Sequence, residues 1–339
     1  MHIPRYWAQA RLRHETGQRH GATVQRWGWS DSSPQDAEAH ARQRAQEALN
    51  ALLAAPAARN LDAGFERMEW RGEYGLDGAT PIREEVLERR GDTVLTRNSY
   101  GAHCLNTEQV AIADMDFPEP RRSPRFPLLS SLLLAAALGW LATQPQAVNA
   151  LMLAGIVATA LIGLYWLSKL RQWQHARTAR ARAVPPLQAA LERVHTLASQ
   201  HPDWSLRLYQ TPKGLRVIVT HATFGPGSPE VQILFDALAV DPLYAMLCDK
   251  QQCFRARVTG KPWRMGLSGL SSQDRQWPPQ PRHLPSRTAW CRDYDSKAAQ
   301  FAACHFIKQL GPGASCPQAQ AFVQWHDQAC NARTALPLA

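Results

Sequence analysis

The feature that most constrains this chain is a pair of uncharged apolar stretches near its middle, separated by four residues. Phe126–Ala142 reads FPLLSSLLLAAALGWLA and Ala147–Leu167 reads AVNALMLAGIVATALIGLYWL. A helix that spans a bilayer needs about 20 predominantly apolar residues, with about 17 as the short limit. Each Leu, Ile, Phe or Val adds about −0.3 to −0.6 kcal/mol to insertion, which outweighs Ser130 and Ser131 in the first stretch. Trp140, Tyr165 and Trp166 fall near span ends, where amphipathic rings prefer the interface. The pattern predicts a two-helix transmembrane hairpin with spans at about 126–142 and 147–167. A helical hairpin buried in a protein core is the alternative; it would show a polar stripe at helical period, and none is visible.

Charge follows the same division. The chain has 339 residues and a formal net charge of +10. Arg121, Arg122, Arg125, Lys169, Arg171, Arg177, Arg180 and Arg182 flank the apolar pair with no acid among them, and the rest holds 30 basic against 28 acidic residues. The positive-inside rule then places both flanks on the cytoplasmic side. The expectation is a two-pass inner-membrane protein with cytoplasmic N- and C-termini and the lipid bilayer as first partner. The small remaining charge argues against a chain-wide field for nucleic acid. The opening MHIPRYWAQARLRH has no apolar h-region, so no cleavable signal is expected.

Outside 121–183 the periodicities alternate between strand and helix, which predicts an α+β domain interrupted by the hairpin. In 1–120, GATVQRWGWSD reads as a strand, PQDAEAHARQRAQEALNALLAA as a helix with Pro34 in its first turn, and MEW, TVLTR, HCLN and QVAIAD as strands. In 184–339, LQAALERVHTLASQ reads as a helix, SLRLYQTPKGLRVIVTH as a β-hairpin, PEVQILFDALA as a helix capped by Ser228, and CFRARVTGKPWR as a strand with a Gly turn. Residues 265–290 look irregular, and two further helices are expected around 296–310 and 316–333. The parts 1–120 and 184–339 are expected to pack as one composite domain, because the first makes a thin core alone.

The seven cysteines, Cys104, Cys248, Cys253, Cys291, Cys304, Cys316 and Cys330, form no C-x-x-C and read as reduced thiols. Cys304, His305, Cys316, His326 and Cys330 are candidate zinc ligands, although their spacing matches no standard pattern.

The sharpest chemical string is AIADMDFPEP. Asp114 and Asp116 end an apolar strand and share a face, since strand side chains alternate. Two adjacent carboxylates repel, and a divalent cation relieves the repulsion; Mg²⁺ or Mn²⁺ suits hard oxygen ligands. Two solvated acids closing a strand are the plainer reading. Further on, GLRVIVTH ends at His221 and LAVDPLY places Asp241, which also reads as a helix cap. Arg97, Asn98, Tyr100 and His103 surround a Ser-Tyr-Gly turn, and Arg97 is a candidate anion contact. Arg255 and Arg257 share a strand face beside Phe254 and Trp263 and are candidate phosphate contacts, or simply a solvated face.

These strings resemble the archaeo-eukaryotic primase and primase-polymerase superfamily, whose members carry an apolar strand ending in D-x-D, a later small-x-His strand and a hydrophobic-Asp motif. The resemblance implies Asp114, Asp116 and Asp241 as metal ligands and His221 as a phosphate contact. Val219 departs from the small residue usual there, and the apolar pair interrupts the motifs. The layout is also similar to an uncharacterised family of bacterial two-pass transmembrane proteins, which implies no activity. Two functions follow as expectations. One is an interaction or regulatory module with a protein partner. The other is a divalent-metal-dependent nucleotidyl or phosphoryl transferase acting on nucleotide or nucleic acid. The absence of Walker, G-x-G-x-x-G, H-E-x-x-H and G-x-S-x-G strings leaves those enzyme classes unsupported.

Overall fold

Strand and helix sequences assemble, among the described residues, into three antiparallel sheets with helices beside them. The computed structural model describes residues 1–14, 22–54, 69, 80–117, 163, 165–171 and 185–339. Residues Met1–Phe117 and Ala190–Ala339 form one compact unit, and Pro118–Ala189 form another.

In the first unit, β1 (Tyr6–His14) and β2 (Ala22–Ser30) make a hairpin, and α1 (Pro34–Ala54) lies against it. The Ser33 hydroxyl caps α1 by accepting from the Asp36 amide, and Pro34 at its start gives up no hydrogen bond. Ala37, Ala41, Ala45 and Ala48 form its buried stripe. Small residues are required because the helix lies on the backbone of β2: a Cβ on Gly28 would stand 2.1 Å from the Ala41 nitrogen.

The second sheet has the order β3-β4-β5-β9 and the third β10-β7-β8-β6. Their members are β3 (Glu85–Arg90), β4 (Thr93–Arg97), β5 (His103–Thr107), β6 (Ile112–Asp116), β7 (Leu206–Thr211), β8 (Gly214–Val219), β9 (Phe254–Arg257) and β10 (His305–Leu310). Both sheets join strands from the two ends of the chain. β5 pairs with β9 through Leu105↔Ala256, and β6 pairs with β8 through Asp114↔Arg216. β8 is buried along its whole length, which explains its continuous apolar run, Arg216 excepted. The helices are α2 (Pro186–Gln200), α3 (Pro229–Leu238), α4 (Pro242–Gln251), α5 (Leu284–Ala298) and α6 (Pro317–Ala329). Ser228 caps α3 by accepting from the Val231 amide, and Asp241 caps α4 by accepting from the Leu243 amide.

The architecture is α+β, and the membrane part of the expectation is corrected. Among the described residues no helix is long and apolar enough to cross a membrane. That finding overturns the transmembrane hairpin, the two-pass topology and the inner-membrane placement. Span 126–142, and 147–162 and 164 of the other span, lie outside the described residues; residues 163 and 165–171 are helical and include Lys169 and Arg171. The physical reason for the correction is that an apolar run reports a preference for leaving water and does not name the medium entered.

Two local expectations also change. The stretch expected as a helix around 296–310 is the end of α5 followed by β10. Part of 265–290, expected to be irregular, is the start of α5, where Pro285 occupies the first turn. The expected strand MEW lies outside the described residues but for Glu69.

Candidate functional site

β6, β8, β9 and the turn after β9 wall a cleft of about 240 Å³, with Tyr100 and the start of α4 at its edge. Five cationic side chains line it, Lys213, Arg216, Arg257, Lys261 and Arg264, against three carboxylates, Asp114, Asp116 and Asp241. Strand alternation puts Asp114 and Asp116 on one face of the sheet, directly across from Arg216 and Gly214 of β8. Tyr244 of α4 donates to the Ile112 carbonyl at 3.1 Å, tying that helix to β6. The turn that carries Lys213 needs glycine next to it: a Cβ on Gly214 would stand 1.9 Å from the Met115 carbonyl oxygen.

The three carboxylates meet different fates. Asp114 accepts both arms of Arg216, Nε at 2.7 Å and Nη2 at 2.9 Å. Asp241 is committed to the Leu243 amide at 3.0 Å. Asp116 is exposed at the strand end, and its carboxyl is held above the usual range by partial burial and by the charges of Asp114 and Asp241. Lys261 shows the opposite crowding. Its ammonium is pushed down by burial and by Arg257 and Arg264.

The remaining sequence candidates do not assemble here. His221 lies five residues beyond Arg216, roughly 15 Å further along by strand rise. It stacks on Trp204 at 5.5 Å, accepts from the Ser205 amide through Nδ1, and is kept towards its neutral form by burial. Arg97 is buried against Asp295, with contacts at 2.8 and 3.1 Å, so its anion is the protein's own. Arg255 is likewise taken by Glu84, both of whose oxygens lie within 2.8 Å of Nη2. Of the three arginines only Arg257 reaches the cleft; it also donates to the Ala339 carbonyl at 3.2 Å. The arrangement that the primase resemblance implied, three acids with one histidine, is thus split: the acids share a cleft without His221.

A second cluster lies behind the cleft. Among the described residues, Cys304, His326 and Cys330 are the group of cysteine, histidine or acidic side chains whose ligand atoms all lie within 4.8 Å of one another; Asp114, Asp116 and Asp241 do not converge so closely. His326 and Cys330 stand four apart on α6, which puts them on one face of the helix, and Cys304 immediately precedes β10. His326 Nε2 is 3.5 Å from the Cys330 sulfur and 3.9 Å from the Cys304 sulfur. Its Nδ1 is 3.3 Å from Asp327, which in turn accepts from Tyr209 at 2.6 Å and Arg207 at 2.8 Å. Arg216 connects the two regions: while Nε and Nη2 hold Asp114, Nη1 lies 3.2 Å from His326 Nε2. Inside the cluster the Cys330 hydrogen bond, with the charges of His326 and Arg216, holds the Cys304 thiol well below its usual range, whereas burial pushes Cys330 well above it.

Of the five residues the sequence offered for zinc, three meet. His305 turns to the Leu336 carbonyl at 2.9 Å, and Cys316 sits at the start of α6. The sequence signal for the trio that meets was H-x3-C at helical spacing; what it could not supply was the sheet that brings Cys304 alongside. No protein-family model matches this chain, and neither a curated protein nor a solved structure matches it.

Proposed function

We propose that the protein binds a small anionic ligand, bearing phosphate or paired carboxylates, in the cleft between β6, β8 and the turn after β9. The observation that carries this reading is the charge of the cleft wall, five cations against three carboxylates; with Arg216 and Asp114 paired to each other, four cations face two carboxylates. The crowding at Lys261 supports it, because an anion would relieve the mutual repulsion of Lys261, Arg257 and Arg264. Arginine and lysine side by side match a phosphate, the first by paired donors and the second as a point charge. A metal held by Asp114, Asp116 and Asp241 is the weaker reading, since two of those carboxylates are occupied by Arg216 and the Leu243 amide.

The test is calorimetric titration of the full chain with inorganic phosphate, pyrophosphate, a nucleoside triphosphate and a dicarboxylate, each with and without Mg²⁺. Binding of at least one anion tighter than about 1 mM is expected, weakened by added salt and lost in a Lys261→Gln, Arg264→Gln double variant. Absence of heat with all four anions, or equal affinity in the double variant, would overturn the reading. Binding that appears only with Mg²⁺ and disappears in Asp116→Ala would favour the metal reading instead.

A further inference from the structure

The structure assigns to Cys304, His326 and Cys330 a buried binding site for one divalent cation of the zinc class. The assignment stands on geometry. Zinc lies about 2.3 Å from sulfur and about 2.0–2.1 Å from imidazole nitrogen in tetrahedral sites, so adjacent S and N ligands fall about 3.6 Å apart. The observed separations of 3.5 and 3.9 Å from His326 Nε2 bracket that figure. All three residues are buried, with no solvent exposure, and a buried trio of this chemistry is what a soft or borderline cation selects over Mg²⁺ or Ca²⁺.

The surroundings are built for it. The contact between Asp327 and His326 Nδ1 would hold the ring proton on that nitrogen once Nε2, which faces both sulfurs, takes the cation. Asp327 is itself immobilised by Tyr209 and Arg207. Helix α6 fixes His326 against Cys330, and the bond from the Ala303 amide to the Cys330 carbonyl, 2.9 Å, fixes the Cys304 strand against the helix. Binding is charge-neutral: the cation enters, two protons leave the trio as a whole, and the two thiolates then cancel its charge. Arg216 and Arg207 remain balanced by Asp114 and Asp327. Nη1 of Arg216 gives up Nε2 and retains the Arg257 carbonyl at 3.1 Å. With three protein ligands the fourth position falls to water or another small ligand. This site does not depend on the anion reading of the cleft, and either can fail without the other.

Metal analysis of the purified full chain tests it. About one equivalent of zinc is expected per chain, retained in Cys316→Ser and Cys248→Ser and lost in Cys304→Ser, Cys330→Ser. Because that double variant can misfold, two measurements use the folded chain. Cobalt exchanged into the wild-type protein should give thiolate-to-metal charge-transfer absorption and tetrahedral ligand-field bands. Asp327→Asn should weaken zinc affinity about 10–100-fold in competition with a chromophoric chelator while leaving the stoichiometry at saturation unchanged. A wild-type chain that neither contains nor takes up zinc, cobalt without thiolate bands, or a Cys304–Cys330 disulfide in the native protein would overturn the assignment.

Discussion

Single residues in the cleft carry charges whose cost depends on pH. Asp116 is the clearest case. Its carboxyl is held above the ordinary range by partial burial and by Asp114 and Asp241, so the folded chain retains this proton more strongly than the unfolded one. Stability is therefore highest at acidic pH as far as this group is concerned. It falls as pH rises from the ordinary carboxylate range, near 4, through the raised folded value. Asp116→Asn removes that penalty. The variant should be more stable than the wild type at pH 7, by less than about 1 kcal/mol because solvent screens an exposed group, and the gain should vanish near pH 3. Urea unfolding at both pH values reads this directly; equal or lower stability of the variant at pH 7 would show that Lys261 and Lys213 dominate its environment. Arg216 differs in kind. It is buried, and it holds Asp114 with one edge and faces His326 with the other, so truncating it would strand a carboxylate and distort both regions at once.

Elements decide which of these residues meet, and here the sequence was legible to different depths. The β7–β8 hairpin was readable because two apolar strand-like runs flank Thr-Pro-Lys-Gly, and α3 was readable because Ser228 and Pro229 mark its start. The placement of Asp114 and Asp116 on one face followed from strand period alone. What did not follow was their partner: nothing local says that Arg216 lies opposite Asp114, since that pairing depends on β6 returning to β8 across about a hundred residues of chain. For the same reason Arg97 and Arg255 looked like free anion contacts, although Asp295 and Glu84 claim them from distant segments. The zinc-class trio was half legible, through the helical spacing of His326 and Cys330, and its third member needed the tertiary fold. Gly214 tests the element that organises the cleft. Its missing Cβ lets the hairpin turn rest on Met115, and Gly214→Ala must push β8 from β6 by more than an ångström. The expected cost is about 2–3 kcal/mol, with weakened anion binding. Thermal unfolding together with the calorimetric titration checks both; an alanine variant with unchanged stability and affinity would mean that the turn yields without moving the strand.

At the scale of the whole chain, the two four-stranded sheets are each completed from both ends of the sequence. β3, β4 and β5 need β9, and β6 needs β8, so Met1–Phe117 alone would expose the edges of β5 and β6 together with the buried faces of Leu105, Ile112 and Ala113. An exposed apolar edge strand of this kind favours aggregation over folding. The cleft inherits the same dependence: Asp114 and Asp116 come from the first part, while Arg216 and Lys261 come from the second; the cysteine–histidine cluster draws all three of its residues from the second part. Expressed separately, residues 1–117 and 185–339 should each lack a cooperative thermal transition by circular dichroism. Co-expressed, they should associate and recover it, because the interface restores two strand pairings and a shared apolar core whose burial, at about 25 cal/mol per Å², greatly exceeds what either part retains alone. A first part that melts cooperatively by itself would show that β1, β2 and α1, with their alanine-lined core, are sufficient for a domain. In that case the cleft would be an interface between two folded bodies and not a feature of one.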